Sequence, residues 1–347
     1  MTTTIAMFNT HSFERSVFDS ANSQYDVSIR YFEACLNADT APMANGFDVV
    51  CCFVNDRLDE ACADRLAQAG VKLVALRCAG FNQVDLRAME RCGIRVVRVP
   101  AYSPYAIAEH AMGLILSLNR KIHHAYWRVK QLNFALDGLV GFDLHGKTLG
   151  VVGTGKIGAA FARIAKGFGC RVLASDPHID ADLGEEKVVE YVALDELFAQ
   201  SDIISLHVPL TPETYHLVNA TTLAQMKPEA LLINTSRGAL VDSHALIQAL
   251  KSGAIAGAGL DVYEEEAGIF FEDLSDRVLQ DDTLARLMTF PNVLMTAHQG
   301  FLTQQALENI ASTTLANIDD FLQGKSLVNE VLAKNVLCPA GEAPCKF

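Results

Sequence analysis

Short apolar runs rich in β-branched residues alternate with longer amphipathic stretches along the whole chain. The runs form two series. The first comprises residues 4–9, 25–32, 47–53, 71–77 and 94–99, and the second comprises residues 148–153, 171–176, 202–208, 230–235, 257–262 and 292–297. Strands that alternate with helices form parallel sheets covered by helices. The pattern therefore predicts an α/β protein with two doubly wound parallel sheets.

Two helical stretches decide how these sheets divide into domains. Residues 103–131, with Pro104 in the first turn, contain no helix breaker and predict one long helix that connects the series and takes part in a subunit interface. Residues 303–323 predict an amphipathic helix with no following strand, which we expect to pack back on the first sheet. We therefore predict a first, discontinuous domain of residues 1–101 and 299–347. The second domain, residues 102–298, is inserted within it.

Composition narrows the class of protein. A formal net charge of −13 over 347 residues argues against nucleic acid or anionic membrane as a partner. The amino terminus lacks the basic and apolar segments of a signal peptide, and no apolar run is long enough to span a bilayer. The nine cysteines are odd in number and include no CxxC pair, which predicts neither a metal site nor a disulfide framework. We expect a soluble, cytoplasmic protein that acts on a small molecule.

A glycine-rich turn follows the first strand of the second series. Gly153, Gly155 and Gly158 have the GxGxxG spacing between an apolar strand and a helix, and Asp176 ends the next strand. The glycines would allow a tight turn, close approach to a pyrophosphate and close packing of helix on strand. Asp176 would bind the ribose hydroxyls, and no arginine follows it to bind a 2′-phosphate. The turn therefore predicts binding of NAD rather than NADP.

Polar residues of three types follow later strands, where a doubly wound sheet places its ligands. Arg237 could grip a carboxylate with its planar guanidinium, and His298 could exchange a proton near neutral pH. Glu266 could orient the imidazole ring and favour its protonated form. An arginine, a histidine and a glutamate in these places are the residue types that hydride transfer between a nicotinamide and a hydroxy or keto acid requires. His207 is the only other histidine that closely follows a strand, and we expect its neighbours to contact the cofactor instead.

The motifs that carry these residues resemble those of the D-isomer-specific 2-hydroxyacid dehydrogenase family. They are GTGKIG, SLHVPLTPET, NTSRGALVD, GLDVYEEE and TAHQGFLT, and the likeness spans about residues 4–330. Three further segments are similar to the bacterial fermentative D-lactate dehydrogenases within that family: RCAGFNQVDL, RVPAYSPYAIAEHA and FFEDLSD. The resemblance implies a Rossmann NAD-binding domain inserted in a discontinuous, flavodoxin-like substrate domain.

The resemblance also implies roles for individual residues. Arg237 would anchor the substrate carboxylate, His298 would donate the proton, and Glu266 would be its partner. The cofactor contacts that it implies, besides the glycines, are Lys156, Ile157, Asp176, Val208, Pro209, Thr214, Thr235, Ser236, Arg237 and Asp261. The implied substrate contacts, besides Arg237 and His298, are Phe53, Cys78, Ala79, Gly80, Tyr102 and Phe301. Glu264 and Glu265 are expected to form a solvated acidic turn.

The predicted activity is reduction of pyruvate to D-lactate with NADH, by a homodimer or homotetramer. Three implied aromatic residues around the small side of the substrate favour a methyl group over larger substituents. Two alternatives remain open. One is a reductase for glyoxylate or a larger 2-keto acid, and the other is a non-enzymatic NADH sensor that resembles the dehydrogenase-like transcriptional corepressors.

Overall fold

Two parallel sheets organise the chain in the computed structural model, which describes residues 3–335. The chain divides into two compact units: unit 1 comprises residues 1–103 and 302–347, and unit 2 comprises residues 104–301. Every pairing between the named strands is parallel, and helices separate nearly all of them along the chain. The predicted α/β class is therefore confirmed. Cys338 and Cys345 lie outside the described residues.

The sheet of unit 1 has five strands. They are β1 Thr3–Met7, β2 Val27–Tyr31, β3 Val49–Cys52, β4 Leu73–Leu76 and β5 Arg95–Arg98, in the order β2-β1-β3-β4-β5. This is the flavodoxin-like order that the resemblance implies. All four residues of β3 and of β4 are buried, as expected for central strands covered on both faces.

Helices cover this sheet from both ends of the sequence. They are α1 Ser12–Asn22, α2 Glu60–Gln68, α3 Leu86–Arg91 and α12 Gln304–Leu322. The side chains of Asp59, Asp85 and Thr303 accept hydrogen bonds from the first turns of α2, α3 and α12. The apolar face of α12 packs on α1, β4 and β5.

The sheet of unit 2 has seven strands. They are β6 Thr148–Val152, β7 Arg171–Ser175, β8 Glu190–Tyr191, β9 Ile203–Leu206, β10 Leu231–Asn234, β11 Gly257–Leu260 and β12 Val293–Met295. Their order, β12-β11-β10-β9-β6-β7-β8, is the Rossmann order with one strand added. The strand order reverses between β6 and β9, and ligands bind at such a point beyond the carboxyl ends of the strands.

Eight helices accompany the sheet of unit 2. They are α4 Pro104–Arg120, α5 Ile122–Lys130, α6 Lys156–Gly167, α7 Ala181–Glu185, α8 Leu194–Gln200, α9 Ala220–Gln225, α10 Ser243–Ser252 and α11 Asp282–Met288. All eleven strands predicted from the sequence are present. Only β8 was missed, because two residues are too short to establish an alternating pattern.

The prediction of one continuous helix over residues 103–131 is wrong. Lys121 has left-handed backbone angles, φ 49° and ψ 39°, which separate α4 from α5. Hydrogen bonds to a distant segment hold this break. The side-chain amide of Asn119 bonds both backbone groups of Phe142, and Lys121 Nζ donates to the carbonyl of Val140 at 2.7 Å. These contacts are not visible in the local sequence pattern.

Candidate active site

The glycine-rich turn lies between β6 and α6, at the point where the strand order reverses. Gly153 has a φ of +92°, and a Cβ there would lie 2.7 Å from the carbonyl oxygen of His207. A Cβ on Gly158 would overlap the carbonyl oxygen of Gly153. Gly155 precedes the first residue of α6, has no side-chain cap and faces open space. The amino end of α6 is therefore free to receive a pyrophosphate.

Asp176, directly after β7, is fixed beside this turn. Its Oδ2 accepts the backbone N–H of Thr154 at 2.6 Å, and its Oδ1 accepts that of His178 at 2.7 Å. The hydroxyl of Tyr191 donates to Thr154 Oγ1 at 3.0 Å. Lys156 and Ile157 form the first turn of α6, where Lys156 is exposed. The fixed carboxylate of Asp176, at the carboxyl end of β7, suits the hydroxyls of a ribose.

The remaining residues implied for the cofactor follow β9, β10 and β11. A Cβ on Gly153 would lie 2.7 Å from Val208 Cγ1, so the turn and the segment after β9 are in contact. Thr214 Oγ1 donates to the carbonyl of Pro209 at 2.7 Å. Ser236 Oγ donates to the carbonyl of Leu206 at 2.8 Å, whereas the buried hydroxyl of Thr235 has no partner among the described residues. An unpaired buried hydroxyl leaves a polar group for a ligand to satisfy.

His207, the rival histidine, packs against the ring of Phe161 with 4.8 Å between ring centroids. Its Nε2 lies 2.9 Å from Ser205 Oγ. Enclosure of the ring lowers the pKa of His207 to about 3, because burial disfavours the charged form. At neutral pH this imidazole is therefore uncharged, which makes it a poor general acid.

His298 and Glu266 form a hydrogen-bonded pair. The Nδ1 of His298 lies 2.8 Å from Oε1 of Glu266, and the two side chains are 15% and 17% exposed. His298 has a φ of +52°, which is rare for a residue with a side chain, and its backbone N–H donates to the carbonyl of Asp261 at 2.7 Å. With Nδ1 bonded to a carboxylate, Nε2 is the nitrogen left for a reacting group.

A second network lies beneath the His298 segment. Asp261, 1% exposed, accepts hydrogen bonds from Thr296 Oγ1 at 2.5 Å and from the backbone N–H groups of Gln299 and Gly300 at 2.9 and 2.8 Å. His110 Nε2 lies 3.2 Å from Asp261 Oδ1 and 3.0 Å from Thr296 Oγ1. Burial opposes ionisation of Asp261, but these hydrogen bonds outweigh burial and hold its pKa below the usual range.

Sequence reasoning missed the contribution of His110. His110 lies within the helix predicted over residues 103–131 and follows no strand, so the sequence pattern does not single it out. The structure places it on α4, which packs against β10, β11 and β12, so its ring reaches the carboxyl ends of β11 and β12. Only the packing of α4 reveals this contact, and no local signal in the sequence indicates it.

Arg237 follows β10 and precedes a single helical turn, Gly238–Leu240. Its Nη1 donates to the carbonyl of Ser236 at 2.7 Å, and the side chain is half-buried. A Cβ on Gly238 would overlap the backbone of Tyr263, so this turn packs directly against the segment that carries Glu266. No ion pair among residues 3–335 includes Arg237, and its charge is available to an anion.

Glu264 and Glu265 were expected to form a solvated acidic turn, but only one of them is exposed. Glu265 is exposed, but Glu264 is 20% exposed and its Oε1 lies 2.6 Å from Nε2 of His216. His216 also has a positive φ, 49°, and its backbone N–H donates to the carbonyl of Ala239. Glu264 therefore links the segment after β9 to the segment after β11.

Two aromatic rings flank the imidazole of His298. The ring centroid of Phe301 lies 6.4 Å away and that of Phe271 lies 5.9 Å away. Phe301 was named from the resemblance, whereas Phe271 was missed as a site residue, although the FFEDLSD segment was noted. Phe271 has a φ of +69°, in the left-handed region that residues with a side chain rarely adopt.

The other residues implied for the substrate lie in unit 1. Phe53 is 4% exposed under the guanidinium of Arg77, which lies 4.8 Å from the ring centroid. Cys78 Sγ donates to the carbonyl of Gly80 at 3.2 Å, and Ala79 and Gly80 are half-buried. The carbonyl of Tyr102 accepts a hydrogen bond from Asn309 Nδ2 at 2.6 Å. Their contacts with a substrate stay a prediction.

Comparison with known proteins assigns the chain to a family. Residues 112–300 match the family model for the NAD binding domain of D-isomer specific 2-hydroxyacid dehydrogenases. A D-lactate dehydrogenase of Escherichia coli is 50% identical over 94% of this chain and 99% of its own length. The chain belongs to the D-isomer specific 2-hydroxyacid dehydrogenase family.

Solved structures of 2-hydroxyacid dehydrogenases and related enzymes have the same fold. The apo-structure of the Escherichia coli D-lactate dehydrogenase has a TM-score of 0.86 at 47% identity, covering 95% of this chain and all of that chain. The pyruvate reductase of Chlamydomonas reinhardtii has a TM-score of 0.89 at 46% identity, covering 94% and 98%. The protein is an NAD-dependent oxidoreductase of this family, and the glycine-rich turn, Asp176 and the unpaired Thr235 hydroxyl fit the cofactor.

Two further findings concern metals and membranes. Within residues 3–335, no group of three or more His, Cys, Asp and Glu side chains is arranged to hold a metal ion. None of the helices in this range is both long enough and apolar enough to cross a bilayer.

Proposed function

We propose that the protein is a D-lactate dehydrogenase that reduces pyruvate to D-lactate. The observation that carries the proposal is the 2.8 Å pair of His298 and Glu266. Arg237, which has no carboxylate partner in the described chain, precedes a turn that packs against the backbone of Tyr263. The names of its relatives in Escherichia coli and Chlamydomonas reinhardtii support the same substrate pair. NADH supplies the hydride when it is bound.

Proton transfer belongs to His298 in this proposal. Glu266 accepts a hydrogen bond from Nδ1 and stabilises the doubly protonated imidazolium, whose Nε2–H then points to the carbonyl oxygen of the substrate. As negative charge develops on that oxygen, Nε2 gives up its proton and the ring becomes neutral. In the direction of D-lactate oxidation, the neutral Nε2 takes the hydroxyl proton.

Arg237 holds the substrate carboxylate, because a guanidinium can form two parallel hydrogen bonds to two oxygen atoms. The backbone of residues 78–80 is the second group proposed for this carboxylate. Phe53, Tyr102 and Phe301 are proposed to surround the methyl group. The rings of Phe271 and Phe301 near His298 favour a short substituent on the keto acid.

The experiment that tests the proposal is NADH oxidation by the purified protein with pyruvate, glyoxylate, 2-ketobutyrate and phenylpyruvate. We expect the highest kcat/KM with pyruvate, a D configuration in the product and a strong preference for NADH over NADPH. The variant His298→Ala should lose about 10² or more in kcat. A higher kcat/KM with phenylpyruvate or glyoxylate would mean that this keto acid, and not pyruvate, is the preferred substrate. NADH binding without turnover of any 2-keto acid would favour a sensor.

We further propose that the protein is a homo-oligomer that uses α5 and the segment after it. No residue of α5 is buried, and the following residues Leu132, Phe134, Leu136 and Val140 are 68–83% exposed. Apolar side chains in such density on a surface mark an interface. We expect Trp127→Glu with Phe134→Glu to lower the mass in sedimentation, whereas Val278→Glu, at an isolated exposed valine, should not.

The cytoplasm is the compartment that we propose. None of the seven cysteines within the described range forms a disulfide, and five of them are buried. Free thiols are typical of a reducing compartment. Quantitation of thiols in protein taken directly from cells, with and without reductant, would test this assignment.

A further inference from the structure

A second arginine of unit 1, Arg98, acts on the backbone that is proposed to bind the substrate carboxylate. Arg98 is the last residue of β5. Its Nη1 donates to the carbonyl oxygen of Ala79 at 2.7 Å, and its guanidinium lies 5.1 Å from the ring centroid of Phe81. Both contacts lie in or beside the segment of residues 78–81, which follows β4.

The charge of Arg98 is not neutralised by a carboxylate. The neighbouring arginines differ from it in this respect: Arg77 pairs with Glu14 at 2.8 Å, and Arg95 pairs with Glu330 at 2.7 Å. No ion pair among residues 3–335 includes Arg98, although it is half-buried. Burial lowers the pKa of Arg98 from its usual value, because a desolvated cation is destabilised. A nearby anion would stabilise the buried charge of Arg98.

The peptide group that Arg98 contacts has an unused donor. The carbonyl of Ala79 and the N–H of Gly80 belong to one planar peptide unit. Within the described chain, neither the N–H of Ala79 nor that of Gly80 donates a hydrogen bond, although both residues are half-buried. A cation on the carbonyl oxygen polarises the peptide and makes its N–H a stronger donor.

The backbone of Arg98 is itself fixed. Its N–H donates to the carbonyl of Asn329 at 3.1 Å, and its carbonyl accepts Asn317 Nδ2 at 2.9 Å. The guanidinium is therefore held by its strand, by Phe81 and by the Ala79 carbonyl together. This leaves it little freedom to move to another partner.

We propose that Arg98 is a positioning residue that selects for a carboxylate-bearing substrate by polarising the Ala79–Gly80 peptide. This role rests on the proposed function, in which that backbone binds the carboxylate of a 2-keto acid. The side chain touches the peptide and not the substrate. Its effect is therefore on substrate binding, with little effect on hydride or proton transfer.

The variant Arg98→Met keeps most of the side-chain length against Phe81 and removes the charge, and Arg98→Lys keeps the charge. Arg95→Met is the matched control, since it removes the same charge from the same strand at a site already paired with Glu330. We expect Arg98→Met to raise KM for pyruvate about tenfold with kcat within about threefold of wild type. Arg98→Lys should recover part of the loss, and KM for NADH should not change.

The decisive measurement is the ratio of kcat/KM for pyruvate to that for methyl pyruvate, which lacks the charge. In Arg98→Met we expect this ratio to fall about tenfold, because the neutral ester gains nothing from the cation. Loss of structure alone would lower both values alike and leave the ratio unchanged. An unchanged ratio, with an active wild type, would overturn the role of Arg98 and leave the proposed function intact. A wild-type protein that reduced no 2-keto acid would overturn both.

Discussion

Replacement of Glu266 by glutamine tests the acid/base assignment most directly. Glutamine keeps an acceptor oxygen 2.8 Å from His298 Nδ1 and removes only the negative charge. A hydrogen bond to a charged partner contributes about 1.5–3 kcal/mol and a neutral one about 0.5–1.5 kcal/mol. With both side chains at least 80% covered, water screens the pair weakly. The loss is about 1–1.5 kcal/mol, which corresponds to about a tenfold loss in rate.

Reduction passes through the imidazolium form of His298, which the Glu266 carboxylate stabilises, so the variant should reduce pyruvate more slowly than the wild type. We expect kcat/KM for pyruvate to fall about tenfold at neutral pH. D-lactate oxidation should also slow, because the imidazolium that forms in that direction has lost the same carboxylate partner. Both directions can be recorded from NADH absorbance.

Glu265→Gln is the matched control, because it removes the same charge from the adjacent, exposed residue. Its kcat/KM for pyruvate should equal that of the wild type. An unchanged kcat/KM in Glu266→Gln would refute the reasoning. An equal loss in both variants would mean that only the general negative field of the acidic run acts on His298.

Three further changes test the remaining contacts. Arg237→Lys should raise KM for pyruvate about tenfold or more, since a point charge replaces a planar fork, and an unchanged KM would contradict its role as carboxylate anchor. His110→Ala should lower kcat on the order of tenfold through loss of the network under His298, with NADH affinity unchanged in a fluorescence titration. Glu14→Gln leaves Arg77 buried without its partner, so urea denaturation should show a loss of about 3–5 kcal/mol. The exposed pair of Arg15 and Glu33 provides the control, because Glu33→Gln should change stability by no more than about 1 kcal/mol.

The strands could be predicted from the sequence because their signal is local. The central strands, such as β3 and β10, are runs of buried and mostly apolar residues, and such runs are read directly from consecutive positions. The break at Lys121 could not be predicted in the same way. It depends on hydrogen bonds from Asn119 and Lys121 to residues 140–142, which are distant in sequence. Helical periodicity on both sides of the break suggests a continuous helix.

The residues of the candidate site also divide into those with a local signal in the sequence and those without one. Arg237 and His298 come soon after a strand, so the sequence alone predicts them as site residues, because the sheet topology fixes where strands end. Their roles stay predictions. The contact between Glu266 and His298 also follows from the sequence, since β11 and β12 are neighbours whose carboxyl ends meet. His110 and Phe271 reach the same region by helix packing and by a left-handed turn, and neither property is encoded in the spacing of the motifs. Their roles in catalysis stay predictions.

The three consecutive glutamates have identical side chains but different contacts. Residues 264–266 leave the sheet after β11, and the direction of each side chain depends on what the turn packs against. Glu264 pairs with His216, whose backbone is hydrogen-bonded to the turn after Arg237. Glu265 is exposed, and Glu266 pairs with His298. Both paired histidines have a positive φ, near +50°, so each imidazole is held in place by a backbone that most residues avoid. Because the Glu264 pair joins the Arg237 turn to the Glu266 turn, it holds the proposed carboxylate anchor and the proposed acid/base pair in register within one unit.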